Sequence, residues 1–231
     1  MRDIINIAHR GFTKTFPDNT LEAFEAAINI GVDAIECDVQ ETIDRKFVVI
    51  HDSELFGKDI AKLPLAQIEN AKIEGKFKIP TLEETLDLCS KRVKLLVELK
   101  KVLSVAHFCA LLTPRVQPHN VVLASFSRGL LSKLSYQAPQ IRRAVIVGHP
   151  VRNAVRLAGS TKSDIIVVKF AFATVELVDK IHACNLSIFV WGCAGPGEIR
   201  STLTLDVDGI ISDSPDLVMR ELCKGIRLAS T

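Results

Sequence analysis

The sequence sets a histidine beside a charged residue twice, as His9-Arg10 and His51-Asp52, and places Glu36 and Asp38 two residues apart. Glu98 and Lys100 repeat that spacing, and Trp191 and Asp213 each close an apolar run. Residues i and i+2 of a strand share a face, so Glu36 projects with Asp38 and Glu98 with Lys100. Three inward carboxylates among buried strands cannot all stay ionised without a cation, and a hard divalent ion held by carboxylate oxygens answers that need. Imidazoles titrate near neutral pH, so His9 and His51 beside such an ion suit a donor and an acceptor of protons. Arg10 and Lys100 suit an anionic substrate, with phosphate the first candidate.

Positioning these residues together requires a scaffold, and the sequence repeats one pattern. A short β-branched apolar run is followed by a turn and then a helical period. The strand candidates cover 4–8, 33–39, 93–99, 120–126, 143–148, 164–169, 186–191 and 208–213. Helical segments fall near 20–30, 81–91, 104–112, 127–137, 151–158, 174–184, 195–204 and 215–223. Asn19-x-x-Glu22 and Thr81-x-x-Glu84 read as capping boxes, with Gly31 as the residue ending the first helix. Eight core-like strands, each followed by a helix, are the signature of an α/β fold of the (β/α)8 TIM-barrel type, whose active site lies at the C-terminal ends of the strands. No linker or composition shift divides the chain, so residues 1–231 read as one domain.

A ninth apolar run, 46–51, follows strand two too closely for a parallel crossover. It reads as an extra β-hairpin strand returning along strand two, with a two-residue turn at Asp44-Arg45. That register sets Thr42 against Phe47, Val39 against Ile50 and Asp38 against His51. It would bring the second histidine beside the carboxylates.

The chain of 231 residues carries 29 Lys+Arg against 27 Asp+Glu, a net charge of +2, which gives no field for nucleic acid or an anionic membrane surface. Neither a signal peptide nor a run of the roughly 18 apolar residues that span a bilayer is read. A soluble, cytoplasmic protein with no stable membrane anchoring is the expectation. Six scattered cysteines without CxxC spacing read as free thiols, mostly buried.

Each residue also has a bland reading. A strand-end histidine is often structural, Arg10 alone could be a surface cation, and Glu98 and Lys100 could simply pair. Trp191 could be rim packing. Asp213, just before a proline-led helix start, reads equally as a cap. Lys169, at the end of strand six, reads as a solvated or substrate-facing charge, and His107, His119, His149 and His182 as structural. Convergence of the first group at one barrel mouth outweighs the bland readings.

Taken together, "AHRG", "PDNT", "IECDV", "VVIHD", "IPTLEETL", "VELK", "VW" and "DGIISDSP" resemble the glycerophosphodiester phosphodiesterase family over nearly the whole chain. The resemblance implies a TIM barrel that hydrolyses glycerophosphodiesters to an alcohol and glycerol 3-phosphate. It implies metal ligands at Glu36, Asp38 and Glu98 for Mg²⁺ or Ca²⁺, and acid/base roles for His9 and His51. It further implies substrate contacts from Arg10, Lys100 and Trp191, a small-molecule phosphodiester as the partner, and attack by the neighbouring glycerol hydroxyl through a cyclic phosphate. This chain departs from the family at Asp18, where a glutamate is usual, and in the "VWGCAGPGEIR" exit of strand seven. It also departs in the segment after His51, which reads as running almost directly into helix two. Two other classes fit parts of the pattern. One is a Schiff-base lyase or aldolase using Lys100 or Lys169; the other is a non-catalytic phosphoester-binding barrel.

Overall fold

The structure is a computed structural model that describes residues 4–150 and 153–229. Strand β1 (Ile5–Ala8) leads to α1 (Leu21–Ile30), and β2 (Ala34–Glu41) turns back into β3 (Phe47–Val49). An excursion follows, with β4 (Glu54–Leu55), β5 (Lys58–Asp59), α2 (Leu65–Glu69), β6 (Lys72–Ile73) and β7 (Phe77–Lys78) before α3 (Leu82–Cys89). Then come β8 (Lys94–Lys101), α4 (Val105–Leu112), β9 (Val121–Ser125), α5 (Arg128–Gln137), β10 (Arg142–Val147) and α6 (Ala154–Thr161). The described residues end with β11 (Ile165–Lys169), α7 (Val175–His182), β12 (Ser187–Trp191), α8 (Pro196–Leu203), β13 (Gly209–Ser212) and α9 (Pro215–Ala229).

Strands β1, β2, β8, β9, β10, β11, β12 and β13 form a closed parallel barrel, sealed where β1 pairs with both β2 and β13. β3 runs antiparallel on β2 outside the ring. The expected (β/α)8 barrel with one extra strand is therefore the fold. Strand parity divides the core. Cys37, Val97, Leu123, Val145, Ile166 and Ile210 pack outward under the helices. Ile7, Ala34, Leu96, Ala124, Ile146, Val167, Phe189 and Ile211 fill the interior. Two residues beyond these interior positions lie His9, Glu36, Glu98, Phe126, Lys169, Trp191 and Asp213, so the apolar plug is also the floor of the mouth.

The hairpin differs from the sequence expectation by one residue. Val39 faces Val49, Gln40 faces Val48 and Glu41 faces Phe47. The loop has three residues rather than two: Thr42 N–H donates to Lys46 O at 2.8 Å and Arg45 adopts φ 64°. The Thr42 hydroxyl accepts from Lys46 N–H and donates to Asp44, which favours this longer turn. Asp38 therefore lies beside Ile50, its carbonyl accepting from Ile50 N–H, rather than beside His51.

Three further readings change. Thr20, not Asn19, caps α1, its hydroxyl accepting from Ala23 N–H; the Thr81–Glu84 capping box is formed as read. The segment after His51 builds a small covering layer, in which Ile60, Leu63, Ile68, Ala71 and Ile79 pack on Val48. β3 is thus buried on both sides, Phe47 and Val49 toward the main core and Val48 toward this layer. The sixth helix is Ala154–Thr161, capped by Asn153; positions 151 and 152 of the expected segment lie outside the described residues.

Gly11 carries φ +92°, and a Cβ there would stand 2.7 Å from the Ala23 carbonyl carbon in α1. Gly11→Ala meets both backbone strain and a backbone clash, so it should lower unfolding free energy by about 2–4 kcal/mol in urea titration.

Candidate active site at the barrel mouth

The polar layer above the plug surrounds a cavity of about 130 Å³, lined by His9, Arg10, Glu36, His51, Glu98, Lys100 and Trp191 among others. Of the ligand, acid/base and substrate residues that the resemblance implies, only Asp38 is absent from the lining, and Asp52, Lys169 and Asp213 also lie outside it. Asp38 lies behind Glu36 and Glu98, 1% exposed. One oxygen from each of Glu36, Asp38 and Glu98 can be chosen so that all lie within 4.8 Å of one another.

The loop from β1 to α1 holds this cluster. Arg10 sits at φ 55°, with its backbone N–H donating to Glu36 Oε2 at 3.0 Å. Its guanidinium reaches Asp38 (Nε–Oδ2, 3.0 Å) and Asp18 (Nη1–Oδ2, 2.9 Å). Asn19, at φ 56°, donates from Nδ2 to Asp38 Oδ2 and accepts from Asp38 N–H, so it clamps the residue from both ends. Lys100 Nζ stands 3.5 Å from both Asp38 Oδ1 and Glu98 Oε1.

Two cations against three carboxylates leave the charge uncompensated. Burial, followed by repulsion from Asp38 and Glu98, pushes the Glu36 carboxyl well above the ordinary carboxylate range. Burial, followed by Asp38, raises Glu98 as well, with Lys100 opposing. Glu36 Oε1 is buried with no hydrogen-bond partner among the described residues. Oxygen donors alone, an excess of negative charge and an orphaned carboxylate oxygen fit a hard divalent cation.

Both imidazoles are held at Nδ1 by a carboxylate. His9 Nδ1 lies 2.5 Å from Asp213 Oδ1, and this hydrogen bond holds the Asp213 carboxyl below its ordinary range. An ionised carboxylate only accepts, so Nδ1 carries the proton and Nε2 is left toward Glu36, 3.9 Å from Oε2. His51 Nδ1 lies 3.0 Å from Asp52 Oδ1. The ring lines the same cavity as His9 despite the shifted hairpin register.

Sequence reasoning missed what secures that second histidine. Gln40, 1% exposed on β2, donates from Nε2 to the carbonyls of Ile50, His51 and Asp52 at 3.0, 3.3 and 2.7 Å. Its neighbour Glu41 accepts from the backbone N–H groups of Leu103 and Ser104 just past Lys100. A glutamine in a strand carries no such signal. The Asp213 role was findable: β13 pairs with β1 at Ala8–Ser212, so the next residues, His9 and Asp213, meet. The Trp191 ring lines the cavity and its Nε1 has no hydrogen-bond partner among the described residues. His107 and His182 lie apart from the site, His107 on Arg45 O and His182 on Asp208.

The raised carboxyls predict a pH signature in cation-free protein. A folded-state value above the unfolded one means the native state binds more protons. The associated stability is present below the ordinary glutamate value of about 4.3 and is lost as pH rises through the raised values. Glu36→Gln removes the largest part of that loss. In EDTA, its stability relative to wild type, read by urea titration, should therefore rise steadily from pH 4 to pH 8.

Comparison with known proteins places these residues in a family. The sequence profile of the glycerophosphoryl diester phosphodiesterase family matches residues 9–217, a span containing all the residues of the mouth described above. A glycerophosphodiester phosphodiesterase of Bacillus altitudinis is 30% identical, the match covering 92% of this chain and 96% of the relative. The crystal structure of a glycerophosphodiester phosphodiesterase from Agrobacterium tumefaciens superposes with TM-score 0.82 at 25% identity, over 94% of this chain and 99% of that one. A phosphodiesterase of Oleispira antarctica, solved with sn-glycerol-3-phosphate as product, shares the fold with TM-score 0.89 at 22% identity, over 96% and 97% of the two chains. On the extent of the profile match and of the Bacillus relative, this chain belongs to the glycerophosphoryl diester phosphodiesterase family.

Proposed function

We propose that this chain hydrolyses glycerophosphodiesters to an alcohol and glycerol 3-phosphate by acid–base chemistry between His9 and His51, with a divalent cation as cofactor. The observation that carries the reading is the pair of imidazoles, each with Nδ1 on a carboxylate, facing one cavity that also holds Arg10 and Lys100. Binding of a phosphoester alone needs the cations but not two oriented proton carriers.

In this reading the phosphoryl group lies between the histidines and against Lys100, with Arg10 behind it. One imidazole Nε2 takes the proton from the glycerol 2-hydroxyl as that oxygen attacks phosphorus. The other gives a proton to the departing alcohol oxygen. Attack from within the same molecule gains from proximity, for which effective molarities reach about 10⁵ M or more. Water then opens the cyclic phosphate while the two histidines exchange roles. Asp213 and Asp52 keep each ring in the tautomer that presents Nε2 and stabilise the imidazolium as it forms. Glu36, Asp38 and Glu98 would hold one Mg²⁺ or Ca²⁺, which when bound supplies Lewis-acid neutralisation of phosphoryl charge. The small-molecule diester is the partner this cavity suits, and no helix among the described residues is long and apolar enough to cross a membrane.

The Schiff-base alternative lacks a suitable amine. Lys100 is engaged with Asp38 and Glu98, and Lys169 is exposed rather than desolvated.

His9→Ala and His51→Ala should each lower kcat by roughly 10²–10⁴-fold while circular dichroism and the melting temperature stay near wild type. EDTA should abolish turnover, and Mg²⁺ or Ca²⁺ should restore it. A diester whose glycerol 2-hydroxyl is replaced by hydrogen should be cleaved very poorly. Equal turnover of deoxy and natural diesters would exclude the cyclic route in favour of direct attack by water.

A further inference from the structure

One cation at the mouth has no part in the arrangement above. Lys169 ends β11 directly beside Trp191 in the β11–β12 register. It lies two residues past Val167, which lines the cavity, and so continues the inward face of its strand. Its Nζ stands 5.6 Å from the centre of the Trp191 ring. Among the described residues no carboxylate pairs with it.

The cavity is two-sided. The carboxylates, Arg10, Lys100 and the histidines stand on one side, and Phe126, Ile146, Val167 and Trp191 form an apolar wall on the other. Gly148 lies against that wall: a Cβ there would stand 3.3 Å from the Phe126 ring. A glycerol arm with vicinal hydroxyls is common to every substrate of the proposed reaction and suits the buried polar side. A variable alcohol leading from that side along the apolar wall would pass Trp191, over whose ring Lys169 stands just outside the cavity lining.

An aromatic face open to solvent attracts quaternary ammonium groups. Here a protein ammonium already stands over that face. We propose that Lys169 sets the charge preference of the site, so that diesters with neutral or anionic alcohols are its substrates and cationic alcohols of the choline class are disfavoured. This inference rests on the diesterase reading.

The test measures kcat/KM on three glycerophosphodiesters whose alcohols match in size: choline, its uncharged carbon isostere, and a carboxylate-ended alcohol. Wild type should rank them carboxylate, neutral, choline. Lys169→Met keeps an apolar stem on Trp191 and should shift the carboxylate-to-choline ratio toward choline by about fivefold, the scale of an exposed ion pair. Lys169→Glu should shift it by roughly 25-fold and invert the order. The wild-type discrimination should also shrink as salt rises, since the interaction is exposed. Turnover of all three diesters with a ratio unchanged by both variants would overturn the charge assignment while leaving the diesterase reading intact. Failure to cleave any of them, with Mg²⁺ and Ca²⁺ both supplied, would overturn the diesterase reading and this inference with it.

Discussion

Mutual repulsion among three carboxylates in one small buried space is the constraint around which this barrel is arranged. Glu36, Asp38 and Glu98 arrive on adjacent strands β2 and β8, whose register sets Asp38 against Glu98. Everything near them answers their charge. Arg10 and Asn19 take left-handed backbone conformations that bring a guanidinium and an amide onto Asp38. Gly11 follows in the same hand and lets α1 approach closely. Lys100 lies two residues along β8 from the acid it partly neutralises. The strain in the β1–α1 loop is thus tied to the electrostatics of the strand beside it.

Much of this was legible in the sequence because it depends on strand parity. The i, i+2 spacing of Glu36 with Asp38 and of Glu98 with Lys100 places them inward once a parallel barrel is assumed, and His9 follows Ile7 on the same face. What parity does not encode was not legible. The hairpin register turned on whether Arg45 would enter a left-handed conformation, which depends on the hydroxyl of Thr42 and the carboxylate of Asp44 rather than on hydrophobic pattern. Asn19 has the form of a helix cap, and the adjacent Thr20 left it free to serve Asp38 instead. Gln40 acts on carbonyls, and carbonyls leave no trace in a sequence.

β2 is the element that joins fold to site. Its lower part pairs with β1, ending at Ile35, while its upper part continues to Glu41 with β3 on the freed edge. Along that continuation lie two of the carboxylates, and then Gln40 and Glu41, which fix the two loops carrying His51 and following Lys100. The covering layer over Val48 excludes water from the outer face of the hairpin. The His51 loop is therefore held by the part-buried hydrogen bonds of Gln40 and not only by its turn.

The pairing of β1 with β13, and of His9 with Asp213 across 204 residues of chain, has a consequence for synthesis. A ribosome releases the first strand long before the last. Until β13 emerges, β1 lacks one neighbour and the His9 imidazole lacks the carboxylate that fixes its tautomer. Closure is the most non-local step of the fold and is expected late, because long loops must be closed before their contacts are gained. Every incomplete chain therefore lacks the carboxylate on His9 Nδ1, and under the proposed mechanism an unfinished barrel has no oriented proton carrier at that position.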